Sequence, residues 1–271
     1  MNDTTTVTAA TLDVPEATLY YEVRGSGPLV VLVGAPMDAR SFTPLADLLA
    51  ADHTVLTTDP RGINRSSVRD RDQDSTPEQR ADDLARLIAH LDAGPATVLG
   101  SSGGAVSALA LAKAHPERVD VVIAHEPPLL ELLPDREQQR AATEDIIATH
   151  VGGDPEGAFR KFLVNANITI SEEEFAAMMP AEPDPQMIAD NDFQMRHMLR
   201  ATAFWTPDVS ALSSANVLIG IGEASTGQVC DRTSRALATE LGIEPTMFPG
   251  GHVGFLENPV AFAERLREVL G

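Results

Sequence analysis

The sequence predicts an α/β protein, with a mostly parallel central sheet, helices on both faces and one inserted helical cap. Two observations predict it. Short apolar runs alternate with helix-spaced segments from about residue 18 to residue 124, and again from residue 216 to the end; that alternation marks β-α-β units and a parallel sheet. Between the two stretches, residues 129–205 carry charged, helix-spaced segments and no strand pattern. The expected organisation is a core of residues 1–128 and 206–271 with a cap at 129–205. A chain of 271 residues suits one core with an inserted subdomain.

Each element has a local reason. Thr18–Val23 is β-prone and stops at the turn cluster Gly25-Ser26-Gly27-Pro28. Leu29–Val33 is continuously apolar, as a central strand covered on both faces must be. Ser41–Ala50 places Phe42, Leu45, Leu48 and Leu49 on one helical side, and Thr54–Thr58 is a strand ending at Asp59-Pro60-Arg61-Gly62. Pro77–Leu91 is an amphipathic helix with Leu84, Leu87, Ile88 and Leu91 in one stripe. Ala96–Leu99 is a strand, Ser102–His115 a helix of small residues, and Val119–Ala124 the next strand. In the insertion, Glu172-Glu173-Glu174 reads as a helix start favoured by the helix dipole. Asn216–Ile221 and Pro245–Phe248 are strands, and Gln228–Leu241 and Pro259–Leu270 are helices.

Composition bounds the function. The chain is 43% hydrophobic and 22% charged, which fits a globular protein. Its net charge of −20 makes nucleic acid and anionic membrane surfaces poor partners. No apolar run approaches the roughly 18–20 residues that span a bilayer. Met1–Ala10 lacks the basic start and apolar stretch of a secretory signal, and the single Cys230 cannot form an intramolecular disulfide. A reducing cytoplasm is the expected location. No metal-ligand spacing and no phosphate- or dinucleotide-binding glycine pattern is present, so neither metal nor organic cofactor is expected.

The chemistry concentrates at Gly100-Ser101-Ser102-Gly103-Gly104, which is G-x-S-x-G between a strand and a helix. The turn strains Ser102, and glycines on either side remove side chains that would clash there. The following helix aims its free N–H groups at developing negative charge. The duller alternative is a serine that merely caps a helix.

These features resemble the α/β-hydrolase superfamily over almost the whole chain outside the insertion. Val33-Gly34-Ala35-Pro36 is similar to the family's His-Gly-x-Pro segment, with valine in the histidine's place. Asp59–Ser66 resembles its D-x-R-G-x-G-x-S loop, with Asn64 for the second glycine; asparagine tolerates the left-handed conformation. The resemblance implies an α/β-hydrolase fold whose helical cap follows the sixth strand. It also implies that Ser102 is a nucleophile and that the N–H groups of Ala35 and Gly103 form an oxyanion hole. Backbone donors do not depend on the lost histidine.

His252, in Gly250-Gly251-His252 between the last strand and the last helix, is the expected general base. An imidazole base implies activity that rises with pH through about 6–7. The acid departs from the common pattern, because Gly222-Glu223-Ala224-Ser225 puts a serine where most members carry aspartate. Glu126, Glu223 and Asp231 could substitute. Glu126 is favoured: the resemblance implies that its strand adjoins the nucleophile strand, and active sites of open α/β sheets form at the carboxyl ends of strands. This placement resembles the fungal zearalenone lactonases and some haloalkane dehalogenases, so the position is shared with other chemistries. His125 points the other way along an extended chain and is expected to pack.

Trp205 and Met37 are the expected substrate contacts, with His197, Phe162, Phe193, Met195, Met198 and Phe204 as further cap candidates. The expected function is hydrolysis of a small-molecule carboxylic ester or lactone through an acyl-enzyme on Ser102. Thioesterase, C–C hydrolase or perhydrolase chemistry with the same residues, or a non-catalytic receptor or carrier, are the alternatives.

Overall fold

In the computed structural model, which describes residues 6–180 and 182–270, nine strands form one sheet. They are β1 (Val7–Val14), β2 (Ala17–Gly25), β3 (Leu29–Val33), β4 (Thr54–Thr58), β5 (Ser67–Val68), β6 (Ala96–Ser101), β7 (Val119–His125), β8 (Val217–Gly222) and β9 (Thr246–Phe248). The spatial order is β1-β2-β4-β3-β6-β7-β8-β9, with β5 paired to β2. From β4 to β9 all pairs are parallel, while β1, β2 and β5 add an antiparallel edge.

The first strand was not expected. Val7–Val14 is mostly exposed and shows little apolar alternation, so only its pairing with β2 makes it a strand. The first five residues of the Thr-rich start lie outside the described residues.

Strand alternation sorts the core into two layers. Val31, Leu56, Val98, Val122 and Ile219 face α2 (Pro77–Leu91), α3 (Gly103–Ala114) and α10 (Val229–Leu241). Their neighbours Val30, Leu32, Val55, Leu99 and Ile123 face α1 (Thr43–Leu49), α11 (Gly254–Glu257) and α12 (Pro259–Leu270). A period of two along parallel strands buried on both faces produces this division. α2 begins with the capping box of Thr76 and Gln79.

Between β7 and β8 the described chain contains no strand. It runs through α4 (Arg136–Val151), α5 (Pro155–Ala166), α6 (Glu172–Met178), α7 (Pro185–Phe193), a π-helical turn at Gln194–Met198, α8 (Leu199–Ala203) and α9 (Val209–Ser213). This stretch follows the seventh strand, because the two-residue β5 also pairs into the sheet. Glu172–Glu174 do open a helix, capped by Ser171. A buried guanidinium ties the stretch to the core: Arg80 of α2 donates to Ser107 on α3 and to Thr202 on α8, both at 2.8 Å. No helix among the described residues is long and apolar enough to cross a membrane.

Candidate active site

Ser102 sits between β6 and α3 with φ 56° and ψ −126°. A side chain held there costs on the order of 1–3 kcal/mol, so the surroundings must enforce it. They do so at both ends. The Ser102 N–H donates to the His125 carbonyl and its carbonyl accepts from the Ala105 N–H, each at 2.9 Å. Glycine is obligatory on either side: a Cβ on Gly100 would lie 2.4 Å from the Gly104 carbonyl oxygen, and one on Gly104 would lie 2.2 Å from that of Val33. In the Asp59–Ser66 loop, Asn64 adopts φ 50°, the conformation for which asparagine replaces glycine at small cost.

Glu126 follows β7, the immediate neighbour of β6. It too is left-handed, with φ 53°, and its N–H donates to the Gly220 carbonyl at 3.0 Å. The carboxylate is fully buried. Oε1 accepts from the Gly222 N–H at 2.8 Å, and Oε2 lies 2.6 Å from His252 Nδ1. His252 arrives from beyond β9 through Gly250, at φ 84°. Gly222 lets that loop come close, since a Cβ there would meet the Gly251 and Gly250 carbonyls at 2.7 and 2.8 Å. Three neighbouring strand ends and one glycine-rich loop therefore converge on the pair.

Burial pushes the Glu126 carboxyl up, but the hydrogen-bonded His252 imidazole and the nearby His125 outweigh it and hold it below the ordinary glutamate value. Burial pulls the His252 imidazole down, yet the Cys230 sulfur and the Glu126 carboxylate together hold it well above the usual histidine range. The acid limb of activity is accordingly expected above about pH 6–7.

The rival acids are elsewhere. Glu223 is exposed. Asp231 accepts from the Gly227 N–H at 2.9 Å and from Arg235 at 2.7 Å, bracing the start of α10. Ser225, in the place where the resemblance puts aspartate, is fully buried and its Oγ has no hydrogen-bond partner among the described residues. His125 is also fully buried. Its Nδ1 lies 3.3 Å from Ser101 Oγ, its Nε2 is unpartnered, and Phe248, Phe255 and Phe262 meet its ring edge-on. Burial in that apolar nest lowers its pKa to about 4.

Ser102, His252, Ala35 and Gly103 line one cavity of about 320 Å³. Among the described residues the N–H groups of Ala35 and Gly103 have no protein acceptor. Met37, Phe162 and Met198 line the cavity. Trp205 does not, and this corrects the expectation of a substrate contact. Its ring packs into the core layer above α2, and its Nε1 donates to Glu78 at 2.8 Å. The lone tryptophan closes the helical stretch against the sheet, a role its position at the end of the insertion shares with a pocket wall.

His197 pairs with Asp74 at 3.2 Å, Phe193 stacks over Gly62, and Met195 and Phe204 fill other clusters. The cavity instead contains Cys230, Asn165, Gln194 and Gln228, none of which the sequence singled out as site residues. The usable signal was position: Gln228 and Cys230 open the helix after β8, at the carboxyl end of the sheet. Among the described residues no group of three or more His, Cys, Asp or Glu side chains is placed to hold a metal ion.

Comparison with known proteins agrees with this architecture. Residues 29–265 match the model of the Alpha/beta hydrolase family. An uncharacterized hydrolase, YraK, from Bacillus subtilis is 34% identical over 274 residues, covering 98% of this chain and 97% of that protein. A zearalenone hydrolase from Cladophialophora bantiana is 28% identical over 256 residues, covering 92% of this chain and 91% of the relative. Among solved structures, a thermophilic esterase from Thermogutta terrifontis superposes with a TM-score of 0.70 at 21% identity, covering 97% of this chain and 98% of the esterase; at that identity the likeness concerns the fold.

Proposed function

The chain belongs to the alpha/beta hydrolase family, and from that premise we propose that it cleaves a carboxylic ester or lactone through an acyl-enzyme on Ser102. One observation carries the reading. A buried carboxylate grips His252 Nδ1 at 2.6 Å, which fixes the tautomer and leaves Nε2 for the serine in the cavity that both residues line.

Ser102 Oγ attacks the substrate carbonyl while His252 Nε2 takes its proton. The N–H groups of Ala35 and Gly103 hold the oxyanion. Collapse expels the alcohol, which receives the proton from His252, and leaves the acyl group on Ser102. Water then attacks that ester with His252 again as base. The carboxylic acid is released and the proton returns to Ser102. Glu126 stays ionised throughout and balances the imidazolium. The zearalenone hydrolase relative supports ester or lactone cleavage as the reaction class.

The test is a fluorophosphonate probe together with p-nitrophenyl acetate. Labelling should map to Ser102 by peptide mass, and the labelled protein should lose turnover. Folded protein that takes no label and releases no nitrophenol would sink the proposal in favour of a non-catalytic receptor or carrier.

A further inference from the structure

The cavity carries polar groups that ester cleavage does not use. Asn165 from α5, Gln194 from the π-turn and Gln228 from the start of α10 line it from three separate elements. Their side-chain amides form no hydrogen bond with the described residues. Some nearby amide nitrogens are committed: Asn167 Nδ2 donates to the Gly227 carbonyl at 3.1 Å, Gln139 Nε2 to Asp135 at 2.9 Å and Gln186 Nε2 to Asp190 at 2.8 Å, while Asn64 Nδ2 and Gln139 Oε1 are unpartnered among the described residues. The three amides are half-buried and face the cavity with their hydrogen-bonding capacity free, so each can meet a ligand oxygen remote from the reacting carbonyl.

Charge narrows the ligand further. Among the described residues no Asp, Glu, Lys or Arg lines the cavity. An open cleft of about 460 Å³ meets it at Pro36, Met37 and Gln194, and Asp38, Asp184 and Asp190 line that cleft. The one cation among the described residues of the cleft, Arg40, donates to Asp38 at 2.9 Å. A carboxylate substrate is repelled by those aspartates on approach, and the Glu126 carboxylate already balances the one imidazole, His252, among the described cavity residues. A cation is drawn to the cleft but meets no anionic side chain in the cavity.

We propose that Asn165, Gln194 and Gln228 are specificity residues, which bind hydroxyl or carbonyl oxygens on the non-reacting part of an uncharged ester or lactone. The proposal rests on the serine-hydrolase reading. Each amide offers both donors and an acceptor, so a hydroxyl can both give and receive there. Gln194, at the junction of cleft and cavity, meets the substrate both on entry and when bound.

The test uses p-nitrophenyl esters of three acyl chains of equal length, ending in methyl, hydroxyl or carboxylate. The wild type should favour hydroxyl over methyl by about 3–10-fold in kcat/KM, the scale of a neutral hydrogen bond. It should disfavour carboxylate by at least about a hundredfold. Gln194→Met and Asn165→Leu should each shrink the hydroxyl-to-methyl ratio toward one, mainly through KM. Because the ratio is taken within one protein, a partly unfolded variant does not blur it. A carboxylate ester cleaved as fast as the methyl ester, or an unchanged ratio in both variants, overturns the proposal while Ser102 labelling leaves the hydrolase reading intact. If no ester is cleaved and Ser102 takes no label, both readings fall.

Discussion

His125 and His252 both lie near the charge of Glu126, but one ends β7 and the other sits in the loop after β9, and they titrate in opposite directions. His125 is sealed among three phenylalanines with one nitrogen unpartnered, and burial lowers its pKa to about 4. His252 keeps 24% of its side chain accessible, accepts the carboxylate's grip at 2.6 Å and has the Cys230 sulfur nearby, so its pKa rises. A neighbouring carboxylate therefore does not by itself make an imidazole a base. The charge must be matched by a direct hydrogen bond, and the ring must open onto the space where a substrate can sit.

The largest effect should come from the cavity side. Ser102→Ala should lower kcat by about 10⁴–10⁶, the range for losing the nucleophile of a serine hydrolase. Thermal unfolding should barely change, since the hydroxyl carries little packing. A variant that keeps a tenth of the rate would move attention to Ser101.

The carboxylate between the two rings comes next. Glu126→Gln should lose at least about 10² in kcat, because the imidazolium formed in the transition state loses its counter-charge. Glu223→Gln and Ser225→Ala should stay within roughly tenfold of wild type. The pH profile adds a sign. The wild-type kcat/KM should still be rising above pH 6.5, and removing the Glu126 charge should move that limb to lower pH. If Glu223→Gln is the crippled variant instead, the acid belongs to β8.

Cys230 tests the same limb more gently. Cys230→Ala removes one of the two groups that raise His252 and leaves the Glu126 bond, so the limb should shift down while kcat stays within about tenfold. A limb that does not move would assign the whole shift to Glu126.

The asymmetry between the two histidines was partly legible in the sequence. Glycine spacing around Ser102, the strand before it and the Pro127-Pro128 after Glu126 are local signals, and local signals report strand ends and turns faithfully. The alternation of β3, β4 and β6 to β9 with helices also placed the core. Trp205 shows the limit. Whether a buried aromatic faces a cavity or a sheet depends on the helix that it meets across space, here through Glu78. The same holds for Cys230, Asn165 and Gln194, whose convergence is set by packing between elements far apart in the chain. β1 escaped notice because an exposed edge strand carries no burial pattern.

The smallest effect belongs to the sealed ring and appears in stability rather than rate. The folded state holds His125 neutral down to about pH 4, whereas an unfolded histidine takes its proton near 6.5. The unfolded chain thus binds the extra proton first. Stability is undiminished above pH 6.5 and is lost as pH falls from 6.5 toward 4. At pH 5 the loss from this one group is about 2 kcal/mol. His252 has the opposite sign: its raised pKa stabilises the fold below 6.5, and that contribution disappears as pH rises through the folded value. His125→Phe places an aromatic ring in the phenylalanine nest and removes the titration. It should therefore show a smaller drop in denaturant-measured stability between pH 7 and pH 5 than the wild type, by about that same amount. Comparing each protein with itself at two pH values cancels the cost of losing the Ser101 contact. An equal drop in both proteins would mean that His125 is not the group that sets the acid edge.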